Sequence, residues 1–229
     1  MLNQKIQQLN FKPNVLGEQV AEILTEAILD NVLEGGQQLV EVELQKQFGI
    51  SRSPVREAFR DLEKKGLVEI IPRKGTFVKK VTSEDIARTY PIRAALEALA
   101  AQEAHRKLTG KDLEKMSRAI DSMERYFKKD DKQSYWKQHF IFHEIFINAC
   151  GNDILINILH NLRMSTHRFK FSRRFYQDNF RENLIVHKKI LKLFQDVDSD
   201  GTELVALMKK HIEDSSVEFI KYLENMKDE

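Results

Sequence analysis

Cysteine is nearly missing: Cys150 is the single one in 229 residues. No intrachain disulfide can form, so the fold must rest on buried apolar surface, and a reducing cytoplasm is the natural compartment. Cys150 lies between Ala149 and Gly151 with no cationic neighbour in sequence, which fits a buried inert thiol rather than a nucleophile. No apolar run approaches the roughly 20 residues that cross a bilayer, and none follows a charged N-terminus as in a leader peptide. A phosphate-cradling Gly-rich loop and a nucleophile elbow are also lacking. Proline and glycine are sparse, four and nine, and three of the prolines precede residue 73. Punctuation of the β type is confined to residues 66–81, so the rest must be helical.

What is present suits a globular chain of two modest domains, 41% hydrophobic and 31% charged. Net charge is only +2, yet residues 52–80 hold nine Lys or Arg against four Asp or Glu. A local basic surplus on a near-neutral body is expected of a small DNA-contacting module. Residues 15–33 carry a helical apolar stripe ended by Gly35-Gly36, and a short helix follows at 42–48. Beyond Val81 the pattern predicts helices over 83–108, 111–128, 131–150, 153–172, 180–195 and 201–225. The fold is therefore expected to be mostly α. A winged helix-turn-helix occupies 1–80 and an all-helical antiparallel bundle 81–229, with the boundary near 79–83, where a Ser-x-x-Asp/Glu-like start opens the next helix.

Residues 39–68 carry the DNA-binding pattern. Two helices meet at Gly49-Ile50-Ser51. The second is expected to open at Ser53 as cap with Pro54 in its first position. Val55, Ala58, Phe59 and Leu62 are spaced i, i+3, i+4, i+7 and pack inward, so Arg56 and Arg60 project from another face, with Arg52 just ahead of them. Such arginines reach guanine edges in the major groove, while Ser51 and Ser53 suit phosphates. After Gly66, two β-rich runs flank Pro72-Arg73-Lys74-Gly75 and predict a hairpin with a basic tip, suited to the minor groove or backbone. A solvated face would explain an isolated Arg triplet. Here turn, cap, inward stripe and basic hairpin agree on DNA.

The run Phe48-Gly-Ile-Ser-Arg-Ser-Pro-Val-Arg-Glu-Ala-Phe-Arg-Asp-Leu-Glu-Lys-Lys-Gly-Leu-Val68 resembles the signature of the GntR family of bacterial regulators, and Pro72-Arg-Lys-Gly-Thr-Phe-Val78 resembles its wing. The resemblance spans about residues 13–81. It implies DNA contacts by Ser51, Arg52, Ser53 and Arg56, with Lys74 and Gly75 at the wing tip. It departs at Val42, where the family often has a basic or polar residue, so one phosphate or base contact is expected to be missing.

Four histidines stand out in the second half. His139 and His143 share a helical stripe with Phe142, Phe146 and Cys150. His187 runs with Ile190, Leu191 and Phe194, and His211 with Leu204, Met208 and Ser215. Four imidazoles from three helices are thus expected to face one interior and would suit a borderline ion such as Zn²⁺ or Ni²⁺. Spacing alone leaves open that they are satisfied core residues. His105, His160 and His167 lack such company and read as ordinary surface or core histidines.

Residues 83–225 resemble the FCD-type effector domain of the FadR-like branch of that family, a bundle of six or seven antiparallel helices. Phe142-His143, Gly151-Asn152, Val186-His187 and the segment ending at His211 match the pattern of its metal-binding members. At the family's Asp position stands His139. Four neutral imidazoles would leave the full +2 charge on a metal, which is expected to strengthen binding of an anionic effector and to favour Zn²⁺ or Ni²⁺ over Mn²⁺. The resemblance also implies that Arg93, in Tyr90-Pro-Ile-Arg-Ala-Ala-Leu-Glu97, faces the cavity and pairs with an acidic ligand. From the residues alone, an i,i+4 salt bridge to Glu97 stays equally open. Pro91 is expected to kink this helix.

The expected function is a cytoplasmic, homodimeric transcription regulator, a repressor, bound to a double-stranded, near-palindromic operator and controlled by a small organic acid at the metal site. No membrane partner and no catalysis are expected. Two rivals are a metal-dependent hydrolase and a DNA-binding dimer with a purely structural metal. Against the hydrolase, His143-Glu144 opens the metalloprotease motif but residue 147 is Ile, so His-Glu-x-x-His fails.

Overall fold

The computed structural model describes residues 15–30, 32–167 and 180–225, and the trace divides into two compact units, residues 1–80 and 81–229. In the first, α1 (Val15–Leu29) packs against α3 (Arg52–Lys64), with α2 (Glu41–Phe48) beside it. Val20, Ala21, Leu24 and Ile28 of α1 meet the stripe Val55, Ala58, Phe59 and Leu62 of α3, all buried. Gly49 ends α2 at φ 66°, a left-handed conformation that costs glycine little, and this turn sets α3 against α2.

α3 starts two residues earlier than expected. Its cap is Ser51, whose side chain makes no capping bond, and Arg52 and Ser53 precede Pro54 inside the first turn. Pro54 fits there because no amide of the first turn has an intrahelical partner. α1 likewise stops at Leu29, short of residue 33.

Three strands complete the unit. β1 (Gln38–Leu39), β2 (Val68–Ile71) and β3 (Gly75–Val78) form an antiparallel sheet in the order β1-β3-β2. Gln38 faces Phe77, and Val68 faces Val78. Leu39, Val68, Thr76 and Val78 turn inward. At the hairpin tip Arg73 has φ 65° and Gly75 φ 118°. A side chain on Gly75 would strike Gln38, whose Nε2 donates to the Lys74 carbonyl at 3.0 Å.

The second unit is helical: α4 (Ser83–Ala104), α5 (Gly110–Lys128), α6 (Lys132–Ala149), α7 (Asp153–His167), α8 (Phe180–Gln195) and α9 (Thr202–Asn225). The expected ends of α5, α6, α8 and α9 agree within a residue. α4 stops at Ala104 rather than 108, and residues 168–172 of the expected α7 lie outside the described ones. Capping boxes open two helices: Thr82 with Asp85 starts α4, and Thr109 with Asp112 starts α5. The cap of α4 is thus Thr82, one residue ahead of Ser83, because the Asp85 carboxylate reaches back to the Thr82 amide at 3.0 Å.

α4 lies along α9, and Ala94, Ala98 and Ala101 of α4 are buried. It runs through Pro91 without interruption. The core is continuous, from Ile86 and Tyr90 through Trp136, Phe142 and Phe146 to Phe194 and Phe219. Cys150 is free and fully buried within it, as an inert thiol should be.

Candidate functional site

The N-terminal unit gathers five cations, Arg52, Arg56, Arg60, Arg73 and Lys74, around one groove. Ser51, Arg52, Ser53, Arg56 and Arg60 of the turn and α3, and Arg73, Lys74 and Gly75 of the hairpin tip, are all exposed. Six of these eight, all but the two serines, line one groove of about 580 Å³ between α3 and the wing, together with Glu41 and Val42. Glu41, in the first turn of α2, accepts from both recognition arginines. Its Oε2 lies 2.6 Å from Nε of Arg52, and its Oε1 takes the Nε proton of Arg56. Partial burial pushes the Glu41 carboxyl upward, but the bonds and charges of Arg56 and Arg52 outweigh it and hold the pKa below the usual range. Sequence reasoning missed Glu41, because an acid eleven and fifteen residues from its partners has no periodic signature.

In the helical unit, His139 and His143 of α6, His187 of α8 and His211 of α9 come together, all buried, with one ligand nitrogen each lying within 4.8 Å of one another. Their apolar stripes carry them inward as the spacing predicts. The hydrogen bonds behind them set their protons. His143 Nδ1 stands 2.7 Å from Glu97 Oε2, and His187 Nδ1 stands 2.6 Å from the Asn183 carbonyl. Both partners can only accept, so both Nδ1 atoms carry the proton in the neutral ring. The two Nε2 lone pairs then face each other at 3.2 Å. Two lone pairs at that distance repel unless a proton or a metal ion lies between them. Nitrogen donors about 2.0–2.1 Å from a tetrahedral metal stand about 3.3 Å apart, close to the spacing here. The donor set therefore fits a divalent ion of the zinc type. Burial keeps His143 neutral: it lowers the pKa to about 4, against the pull of Glu97 toward the charged form.

Arg93 does not stand open to a ligand. It is buried and its Nε donates to Glu97 Oε1 at 2.5 Å, so the i,i+4 pair is the arrangement formed. Glu97 is fully buried and also faces Arg163 Nε at 3.8 Å. Burial alone would raise its pKa, but Arg93, His143 and Arg163 hold the carboxyl well below the ordinary range. Arg163 in turn donates to Glu144 Oε1 at 2.5 Å. A chain of alternating charge, Arg93–Glu97–Arg163–Glu144, thus runs from α4 through α7 to α6. Neither Glu97 nor Arg163 was anticipated as part of the site. Arg163 follows Leu155 and Leu159 on the inward stripe of α7, and an arginine on such a stripe was the available signal.

His105 and His160 have structural partners. His105 Nε2 lies 2.9 Å from the Asp196 carbonyl and 3.2 Å from that of Leu193, at the end of α8. His160 pairs with Glu144 at 2.8 Å. The side chain of His167 lies outside the described residues. Beside His211 is a space of about 140 Å³, rimmed by Glu182, Asp214, Glu218 and Lys210. No described helix is long and apolar enough to cross a membrane.

A helix-turn-helix with a basic wing, followed by a helical bundle with a buried polar centre, defines a two-domain class of DNA-binding protein. Residues 16–78 match "Bacterial regulatory proteins, gntR family" and residues 88–214 match "FCD domain". The chain belongs to the GntR family of regulators, among those with an FCD domain. It is 25% identical over 209 residues to the HTH-type transcriptional regulator YdfH of Escherichia coli O6:H1, covering 91% of this chain and 90% of that protein. To the HTH-type transcriptional repressor RspR of Escherichia coli K12 it is 23% identical over 201 residues, 88% of this chain and 87% of that one. The solved structure of E. coli McbR/YncC shares the fold, with a TM-score of 0.77 at 20% identity over 90% of this chain and 98% of that one. The protein is a DNA-binding transcription regulator and not an enzyme, which removes the hydrolase reading.

Proposed function

We propose that this regulator is a homodimeric repressor whose operator affinity is set by a divalent metal, Zn²⁺ or Ni²⁺, held by His139, His143, His187 and His211. The observation that carries it is the facing Nε2 pair of His143 and His187, 3.2 Å apart with both Nδ1 protons already committed. When bound, the metal supplies a fixed double positive charge. Glu97 holds His143 in the ligating tautomer, and Asn183 does the same for His187. Arg93, Glu97 and Arg163 carry a change at the ligands into α4 and α7. Ser51, Arg52, Ser53, Arg56 and Arg60 engage the operator half-site, with Arg73, Lys74 and Gly75 on the adjacent groove or backbone.

A small organic acid bound to the metal fits the uncompensated charge of a four-imidazole site. Arg93 then acts on it through Glu97 rather than as its direct fork. The space beside His211, about 140 Å³, limits such an acid to a few heavy atoms, since sites for larger ligands run to about 300 Å³ and more. A second reading has the metal alone as signal. The three carboxylates against one lysine on that rim favour entry of a cation over an anion.

Metal analysis of the chain purified without chelator tests the first step. About one equivalent is expected, lost in a His187→Ala/His211→Ala double variant; no metal, or unchanged content in the double variant, overturns the site. Operator binding by fluorescence anisotropy, with metal alone and with metal plus short carboxylic acids, then separates the two readings.

A further inference from the structure

Val42 is the residue of the DNA face that the arginine contacts leave unexplained. It sits in the first turn of α2 and is 55% exposed. It lines the same groove as Arg52, Arg56, Arg60, Arg73 and Lys74. A lone exposed valine elsewhere on a surface calls for no explanation. Here its position is tied to the recognition helix, because the adjacent Glu41 accepts from both Arg52 and Arg56. Val42 therefore stands beside the anchor of both arginines and faces the groove that they line.

We propose that Val42 reads the C5 methyl of a thymine in the major groove, next to the bases read by the arginines. Valine neither donates nor accepts, so it cannot distinguish bases by hydrogen bonding. The one apolar group that base edges present in the major groove is the thymine methyl. A β-branched side chain is also stiff at χ1, so it loses little rotamer freedom when a base closes over it. The operator half-site therefore carries a required thymine beside the guanine positions.

The test uses the full chain and a duplex chosen by selection from a random pool at fixed salt. Each thymine of the half-site is replaced in turn by deoxyuridine, which deletes only the methyl. One position is expected to weaken wild-type binding about fourfold, the factor for burying one methyl at about 0.8 kcal/mol. At that position Val42→Ala is expected to narrow the gap between the thymine and deoxyuridine duplexes, because its shorter side chain buries less of the methyl. The proposal is overturned if no deoxyuridine weakens the wild-type chain, or if each weakens wild type and Val42→Ala alike. The first of these outcomes needs no protein variant, so it stands whatever the fold of Val42→Ala.

Discussion

Glu97 Oε2 accepts a hydrogen bond from His143 Nδ1 at 2.7 Å, across 46 residues of sequence and with both side chains fully buried. One carboxylate on α4 thereby decides which nitrogen of a candidate ligand on α6 offers its lone pair. Glu97→Gln removes the charge and keeps the shape. It is expected to weaken metal binding by about 10- to 100-fold, the usual cost of losing a partner behind a ligating histidine. Competition against a chromophoric chelator measures this. Glu97→Ala is expected to destabilise the metal-free chain as well, by about 3–5 kcal/mol in urea, because Arg93 and Arg163 are left buried without their shared acid. Unchanged metal affinity in Glu97→Gln would show that the carboxylate is only a packing partner.

Acid should unfold the metal-free protein through the same pair. Unfolded, His143 takes up a proton near pH 6.5; folded, burial delays this to about pH 4. Between those values the unfolded chain binds more protons, so stability falls as pH is lowered from 6.5 to 4, by on the order of 3 kcal/mol. Below pH 4 this group adds no further loss. Glu97, held well below 4.5, contributes stability that is lost progressively as pH falls from about 4.5 through its folded value. Urea midpoints of the metal-free chain from pH 4 to 8 give the curve. His143→Gln should flatten it between pH 4 and 6.5; an equally steep curve in that variant counts against the assignment.

Much of this site was legible in the sequence, for a definite reason. His139, His143, His187 and His211 sit on apolar stripes, and a polar residue on such a stripe must face the interior wherever the helices dock. The arginines of α3 were legible because Val55, Ala58, Phe59 and Leu62 fix the opposite face. Glu97 was not, since a Glu four residues after an Arg has the same spacing on a solvated helix as in a core. Only packing of α6 and α7 over α4 distinguishes the two cases. β1 escaped notice because two residues, Gln38 and Leu39, have no alternation to read. The start of α3 was misplaced by two residues because proline is tolerated anywhere in the first turn. Of the two readings open for Arg93, the pair with Glu97 is the one formed in the structure, where Nε donates to Oε1.

The wing and the recognition helix should differ in what their loss does to DNA binding. Lys74 is exposed at the hairpin tip, suited to backbone phosphate. Lys74→Ala is expected to weaken operator and random DNA alike and to lower the salt slope by about 1. Arg56→Ala is expected to cost about 1–3 kcal/mol on the operator and little on random duplex, erasing the footprint. Glu41→Gln releases Arg52 and Arg56 from their anchor and removes a negative charge from the groove. It should tighten binding to random duplex and narrow the ratio between operator and random affinities. Anisotropy titrations at several salt concentrations separate all three, and equal losses on both duplexes for Arg56→Ala would move that residue to the phosphates.

The cap at Thr82 tests how the bundle begins. Its hydroxyl accepts from the Asp85 amide at 3.1 Å, and Asp85 Oδ2 accepts from the Thr82 amide at 3.0 Å, so two amides without intrahelical partners are satisfied at once. α4 packs along α9 and carries Arg93 and Glu97 well beyond this first turn, so fraying of the first turn leaves them in place. Thr82→Ala is expected to cost about 1 kcal/mol of stability in the metal-free protein, and Thr82→Ser to retain most of it. Saturating metal should leave that difference in place, because the ligands lie on α6, α8 and α9 and none is on α4. Hydrogen exchange over residues 83–90 locates the effect: faster exchange confined to that first stretch is expected, and uniform acceleration through α4 would place the weakness in the core rather than the cap.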